Sequence, residues 1–321
     1  MIWHHLAAII IACVLDLLIG DPKHWPHPVK WIGALIAFLD QHLNQDRYRK
    51  AKGALLVVTV VTAVFVPSIL IIYTAYDWNI IFGIVLEAFL IVPTIAQKSL
   101  REAALDVYKP LQNNDLSLAR KRLSWIVGRD TDKLDEGNVV RGAVETVAEN
   151  TSDGISAPLF WALIGGAPFA LAYRAVNTCD SMVGYRNEQY YEFGWASARF
   201  DDVLNWIPAR LTGMLMLLVH QPKHDTKKEA WNVFRRDALK HNSPNSGWGE
   251  SAVAALLGVQ LGGMNTYQGV PSEAPLIGNA NVPLERHHIV DAVSIMQRTI
   301  FAFIMSLVIG GVIIEFTITW F

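Results

Sequence analysis

Residues 53–73 contain no charged side chain. A spanning helix needs about 20 mainly apolar residues, so this run is long enough to cross a bilayer. Pro67 falls inside it, where a membrane helix tolerates a kink. Residues 80–96 repeat the pattern with one charge, Glu87, and residues 299–320 with one, Glu315. Residues 2–20 form a fourth run, interrupted by Asp16. This run has no basic start and no small-residue cleavage site, which reads as a retained signal-anchor helix. Two further stretches leave alternatives open. Residues 155–173 are uncharged but hold Pro158, Pro168 and the pair Gly165 and Gly166, while residues 203–219 hold Asn205, Pro208 and Arg210. Each reads as a full span, a broken helix or a re-entrant segment. The sequence therefore predicts an all-α polytopic membrane protein with four to six transmembrane helices, some broken or re-entrant. Composition agrees, since 17% charged residues falls below the roughly 25% usual in soluble domains.

Lysines and arginines orient the chain. Residues 23–52 hold six of them, residues 74–79 none, residues 97–154 nine and residues 220–298 eight. The first, third and fourth of these segments are predicted to be cytoplasmic, with the amino terminus outside an inner membrane. The stretches 155–173 and 203–219 must then both span or both not span. No repeat or flexible linker divides residues 1–321, which read as one domain with a cytoplasmic helical insertion at about 97–154. A net charge of −2 and the lack of a basic arm argue against a nucleic-acid partner. Cys13 and Cys179 share no metal-type spacing, which argues against a zinc site or disulfide framework. No phosphate loop, dinucleotide fingerprint, zinc-protease or hydrolase motif occurs. Any nucleotide must use a site outside those patterns.

Polar residues crowd into segments 128–210 and 237–269, beside apolar stretches where ionisable groups are costly. Arg141, Glu145 and Glu149 stand four apart and share one helix face. The following Asn150, Thr151, Ser152, Asp153 and Gly154 read as a turn that ends the helix. Such oxygen donors suit Mg²⁺ held with a phosphate; the plainer reading is a surface helix with ordinary ion pairs and a cap. Arg174, Asn177 and Asp180 share a second face, as an anion-binding set or a buried ion pair. Adjacent Asp201 and Asp202 cannot share a face and are expected to serve different partners; the plainer reading makes one of them a helix cap. The loop containing His241, Ser243 and Asn245 is rich in donors and acceptors and reads as an anion cradle or a plain connector. His27 lies in a proline-bounded stretch with Asp21, Pro22, Lys23 and Trp25, and is a proton-transfer candidate or a structural histidine.

Taken in order, these segments resemble the CobD/CbiB family of cobalamin biosynthesis, the adenosylcobinamide-phosphate synthases. The matching text is Gly20-Asp21-Pro22 with His27-Pro28-Val29, GRDT from Gly128, and RGAVETVAENTSDGISAPLFW from Arg141. YRAVNTCDSMVGYRNEQYYEFGWASARFDDVLNWIPARL follows from Tyr173, then RRDALKHNSPNSGW from Arg235 and GVQLGGMNTYQG from Gly258. Gly249 departs from the pattern, standing where the family carries proline. The resemblance implies amide formation between adenosylcobyric acid and (R)-1-aminopropan-2-ol or its O-phosphate, with ATP consumed. Other corrinoid-pathway enzymes are implied as possible partners beside the lipid bilayer. Activating a free carboxylate calls for ATP with Mg²⁺, arginines for the phosphoryl group and a base for the amine. Glu145, Glu149, Asp180, Asp201 and Asp202 then become the catalytic candidates, and Glu145, Asp153 and Asp180 the metal ligands. Arg129, Arg174, Asn177, Arg186, Arg199, His27, His241, Ser243 and Asn245 are the substrate-binding candidates. A competing reading is an AmpE-like membrane sensor or a carrier for an anionic solute.

Overall fold

The computed structural model describes residues 2–20, 27–45, 47–185 and 187–319. The anion-binding candidate Arg186, and Asp21, Pro22, Lys23 and Trp25, lie outside the described residues. Helices α1 (Ile2–Ile19), α2 (Pro28–Leu43), α3 (Arg49–Trp78), α4 (Ile80–Ile91), α5 (Gln97–Gln112), α6 (Leu116–Leu123) and α7 (Glu136–Thr151) come first. They are followed by α8 (Ala157–Val183), α9 (Trp195–Leu204), α10 (Trp206–Val219), α11 (Lys227–Asp237) and α12 (Ser246–Leu257). A hairpin of β1 (Leu261–Tyr267) and β2 (Val270–Ile277) precedes α13 (His287–Thr319).

Among the described residues, five helical segments are long and apolar enough to cross a membrane: Ile2–Ile19, Arg49–Trp78, Ile80–Gln112, Glu136–Val183 and His287–Thr317. A sixth is reached if α9 and α10 form one broken span. The protein is thus a polytopic, almost wholly helical membrane protein. Large apolar side chains such as Leu18, Val58, Leu70, Ile81 and Ile313 are exposed, which a lipid environment explains and water does not.

The chain folds as two compact units. The first comprises Met1–Ala96, Asp153–Asn205 and Ile304–Phe321. Its core packs Ile32 and Ile36 of α2, Leu56 and Val60 of α3, and Ala175, Cys179 and Val183 of α8 around Phe193. The stretch at 155–173 is helical but broken, since Gly165 and Gly166 leave helical geometry and Gly166 adopts φ +66°. The break frees backbone groups that hydrocarbon cannot satisfy. Glu87 of α4 supplies the partner: its Oε1 accepts from Ala167 N–H at 3.0 Å and meets His5 Nδ1 at 2.8 Å. Tyr76 donates its hydroxyl to the other oxygen. A side chain at position 166 would put its Cβ 1.9 Å from Glu87 Oε1, so only glycine fits there.

The second unit comprises Gln97–Ser152 and Trp206–Phe303. Asp135 caps α7 by accepting from Asn138 N–H at 2.7 Å. Every residue of α12 except Trp248 is buried, because its glycines, serines and alanines let neighbouring helices approach closely. At Gly249 a Cβ would lie 2.5 Å from the Ala148 carbonyl oxygen of α7. Residues 150–154 do not form the terminating turn expected from sequence. Ser152–Ser156 is a single π-helical turn. Thr151 Oγ1 and Asn150 Nδ2 bond back to the Val147 and Thr146 carbonyls at 2.6 and 2.9 Å, satisfying the turn with their own side chains.

The hairpin is the non-helical element of this unit. Tyr267 pairs with Val270 across Gln268 and Gly269, which have φ +52° and +80°, the geometry of a two-residue hairpin turn. Asp130 holds that turn by accepting from Gln268 N–H at 3.1 Å and Gly269 N–H at 2.8 Å. At the far end the register slips between Leu261 and Gly263. Gly262 and Gly263 both take positive φ there, and the resulting bulge turns backbone groups towards α7.

Candidate active site

A cavity of about 350 Å³ opens in the second unit. Ligand pockets commonly span roughly 300–1,000 Å³. The loop at 126–129, the polar face of α7, the loop at 241–242, Glu250 of α12 and the hairpin line it. The α7 face foreseen from sequence forms its floor, but it is buried rather than a surface face: Arg141 is only 6% exposed.

Two guanidinium groups meet in this wall. Arg129 Nη1 lies 2.8 Å from Glu145 Oε2 and donates to Asn265 Oδ1 at 2.7 Å. Arg141 Nη2 donates to the same Asn265 oxygen at 2.8 Å and to Met264 O at 3.0 Å, and its Nη1 donates to Gly262 O. Glu145 Oε1 accepts from Gly262 N–H at 2.8 Å. The bulge thus supplies both a donor and an acceptor to α7. Arg129 lies close over Gly142, where a Cβ would stand 2.5 Å from Nη2. Arg129 Nε and Nη2 and Arg141 Nε are buried without a hydrogen-bond partner among the described residues, though Arg141 Nε lies 3.8 Å from Glu145 Oε1. Buried donors of this kind are costly unless something accepts from them.

Three further carboxyl groups line the cavity, those of Glu149, Glu250 and Glu273 of β2. Glu149 Oε1 accepts from the Ser246 hydroxyl at 2.7 Å. Glu250 lies 3.7 Å from His241 Nε2. Burial, together with the Glu145 and Glu149 carboxylates, holds the Glu250 carboxyl well above the ordinary carboxylate range, against the pull of Arg129 and Arg141.

The loop residues expected to bind substrate are partly occupied in shaping the chain. His241 Nδ1 accepts from Ser243 N–H at 3.0 Å, and Ser243 Oγ accepts from the Asn245 and Ser246 amides at 3.2 and 3.3 Å. Asn245 Oδ1 accepts from Arg210 Nη1 at 3.4 Å.

The remaining candidates belong to the first unit. Asp201 is buried and accepts from Asn177 Nδ2 at 3.2 Å and Asn205 Nδ2 at 3.0 Å. Tyr173 donates to Asn205 Oδ1 at 2.8 Å and to the Asp153 carbonyl at 3.1 Å. Arg174 Nη1 reaches Asn177 Oδ1 at 3.4 Å. Asp202 turns elsewhere, to the exposed Arg199 at 3.7 Å, so the adjacent aspartates do serve different partners. Asp180 lies on α8 and its carbonyl ends that helix by accepting from Gly184 N–H. His27 Nδ1 accepts from Val29 N–H at 3.3 Å, making it the cap of α2. Of the expected metal set, Glu145 is in the second unit and Asp153 and Asp180 are in the first.

Sequence reasoning missed Glu250 and Asn265 as site residues and left Arg141 without a role. The doubled glycine before Met264 was the available signal for the bulge that links Arg141 and Glu145 to the hairpin.

Fold and site define a multi-pass membrane protein that carries a charged cavity built from a helix face and a hairpin. A family model described as CobD/Cbib protein matches residues 9–296. The cobalamin biosynthesis protein CobD of Halalkalibacterium halodurans is 51% identical over 319 residues, covering 99% of this chain and 100% of that protein. The cobalamin biosynthesis protein CbiB of Salmonella typhimurium is 46% identical over 274 residues, covering 84% of this chain and 86% of its own. CobD of Geobacter metallireducens is 48% identical over 280 residues, covering 87% and 88%. No solved structure matches. The chain belongs to the CobD/CbiB family.

Proposed function

We propose that the protein is an enzyme of corrinoid biosynthesis in the inner membrane. In this reading it joins adenosylcobyric acid to (R)-1-aminopropan-2-ol or its O-phosphate through an amide bond, with ATP and Mg²⁺. Relatives named for cobalamin biosynthesis support the pathway. The observation that carries the reaction class is the cavity wall, where buried arginine donors without partners among the described residues stand beside four glutamates, Glu145, Glu149, Glu250 and Glu273.

Amide formation from a free carboxylate stalls at neutral pH, because the carboxylate is a poor electrophile and the amine is protonated. ATP would supply the phosphoryl group that turns the carboxylate into an acyl phosphate. The chain's own residues fit such a reactant. Arg129 offers Nε and Nη2 to phosphoryl oxygens, and Arg141 adds positive charge where negative charge builds up. Asn265 and Glu145 hold both guanidiniums in place, so little reorganisation is needed when the anion arrives. Mg²⁺ is usually bound by one or two carboxylates beside phosphate oxygens, and Glu149 with the Asn150 amide would meet that need. A corrinoid is far larger than the cavity, so its reacting side chain alone would enter. Arg174, Asn177, Asp180, Asp201, Asp202 and Arg199 of the first unit are retained as substrate-binding or catalytic candidates in this reading.

The test is reconstitution. Purified protein in nanodiscs is given adenosylcobyric acid, amine, ATP and Mg²⁺, with one component omitted at a time. The expected result is amide product and ADP only in the complete mixture. Product formed without ATP refutes the activation step. Transport of an anionic solute by proteoliposomes, with no amide product, favours a carrier instead.

A further inference from the structure

Two cavities of the first unit lie where α3 packs on α9. One, of about 520 Å³, opens beside Lys50 at the start of α3, with Tyr191, Glu192, Trp195, Arg199 and Asp202 around it. The other, of about 320 Å³, is walled by Ala54, Val57, Val58 and Val61 of α3 and by Ala196 and Phe200 of α9, and reaches Thr62. The first is polar and aromatic, the second almost wholly apolar. They are neighbours on both helices. Ala54 follows Lys50 by one turn of α3, while Ala196 and Phe200 directly follow Trp195 and Arg199. Between the two levels the backbones press together, since a Cβ on Gly53 would overlap the Phe193 carbonyl just ahead of α9.

The polar cavity carries charge of both signs. Among its described residues, Lys50 and Arg199 are cationic and Glu192 and Asp202 anionic. Lys50 Nζ lies 3.9 Å from the centroid of the Trp195 ring, and Arg199 lies 3.7 Å from Asp202. A ligand of one sign leaves the opposite pair uncompensated, whereas a phosphate joined to an ammonium matches both. A primary ammonium suits the carboxylates better than a quaternary one, because it has N–H donors to give. The apolar cavity has the length of an acyl chain in one leaflet. From Ala54 to Thr62 the helix rises about 12 Å, against about 15 Å for half of a hydrocarbon core. This stretch belongs to the uncharged run of α3, a helix long and apolar enough to cross a membrane. Trp195 and Tyr191 at its polar end are the side chains usual at a membrane surface.

We propose that the two cavities form one site for a membrane phospholipid whose headgroup joins a phosphate to a primary ammonium, a phosphatidylethanolamine. Lys50 and Arg199 hold the phosphate, Glu192 and Asp202 meet the ammonium, and one acyl chain lies along α3 against Ala196 and Phe200. The site does not depend on the amide-forming reading. Arg199 and Asp202 are also candidates in that reading, so the variants used here leave both in place.

Full-length protein in mild detergent is titrated with phosphatidylethanolamine, phosphatidylglycerol and phosphatidylcholine of identical chains, and with free phosphoethanolamine. Native mass spectrometry counts the bound molecules. One phosphatidylethanolamine is expected to bind about tenfold or more tightly than the other two lipids or the free headgroup. Lys50→Met removes a charge-assisted contact to phosphate and should weaken that lipid about tenfold. Ala54→Phe fills the apolar cavity and should weaken it similarly. Leu70→Phe, at an exposed position of α3 outside the cavity, should not. Equal binding of the three lipids marks ordinary surrounding lipid and overturns the site. Free phosphoethanolamine binding as tightly as the lipid assigns the pocket to a soluble ligand and overturns it too, as does wild-type affinity in both Lys50→Met and Ala54→Phe. The comparison of lipids uses wild-type protein, so it decides the matter even where a variant fails to insert.

Discussion

Replacing Arg129 by lysine separates ligand binding from structural pairing. Arg129 Nη1 is committed to Glu145 at 2.8 Å and Asn265 at 2.7 Å, while Nε and Nη2 are buried without partners among the described residues. Lysine keeps a positive charge beside Glu145 but has no second planar edge. An anion that accepts from both spare donors gains two charge-assisted bonds of about 1.5–3 kcal/mol each. Part of that gain offsets the burial cost of the bare donors, so the net loss in Arg129→Lys is roughly 1.4–2.8 kcal/mol, or about 10- to 100-fold in affinity. Glu145 also retains the Gly262 amide, so Arg129→Lys should insert and melt nearly as wild type does. Arg129→Ala removes one side of a buried pair and should destabilise by about 3–5 kcal/mol. The assay is the KM for ATP together with thermal unfolding, both in nanodiscs. Wild-type KM in a well-folded Arg129→Lys protein refutes the reasoning and leaves Arg129 a structural residue.

Three further outcomes are expected. Gly166→Ala places a methyl group against Glu87 at φ +66° and should lower the melting temperature clearly more than Gly269→Ala, whose added Cβ meets nothing within 4 Å; equal effects would show that backbone strain alone governs the break. Asp237 is buried; burial alone would raise its pKa, but Arg236, Lys240 and the Gly278 amide override that and bring it from 3.8 to about 2. Its stabilisation, about 2 kcal/mol, is therefore present above pH 3.8 and lost as pH falls through 2, so the stability gap between wild type and Asp237→Asn should close over that interval in a pH-dependent melt. Reporter fusions after Asp77 and at Asn114 should report outside and inside respectively; reversal of both would overturn the orientation drawn from lysine and arginine placement.

The parts legible in the sequence are those fixed by local composition. The uncharged run at 53–73 lies within α3, and the glycine pair in 155–173 marks the position where α8 breaks. The spacing of Arg141, Glu145 and Glu149 gave the polar face of α7. What stayed hidden depends on partners distant in the chain. Asn265 bonds arginines 136 and 124 residues before it, and no periodicity reports such a contact. Glu250 sits in a helix of small residues whose apolar neighbours mask it. The turn expected at 150–154 failed for a local reason, because serine, threonine and asparagine mark turns but also bond back along a helix. The division into two units was equally hidden, since each is assembled from discontinuous segments.

That discontinuity sets an order of events during synthesis. Arg141 and its carbonyl partner at Gly262 are separated by 121 residues. At about 5–20 residues per second, the ribosome takes roughly 6–24 s to produce the second after the first. During that interval α7 carries charges whose hairpin partners do not yet exist. Their hydration opposes burial of that face in lipid, while the uncharged run that follows it is already available for insertion. The same charges that later line the cavity thus act beforehand as a brake on misplacement, and any chain that terminates before the hairpin leaves them exposed to quality control.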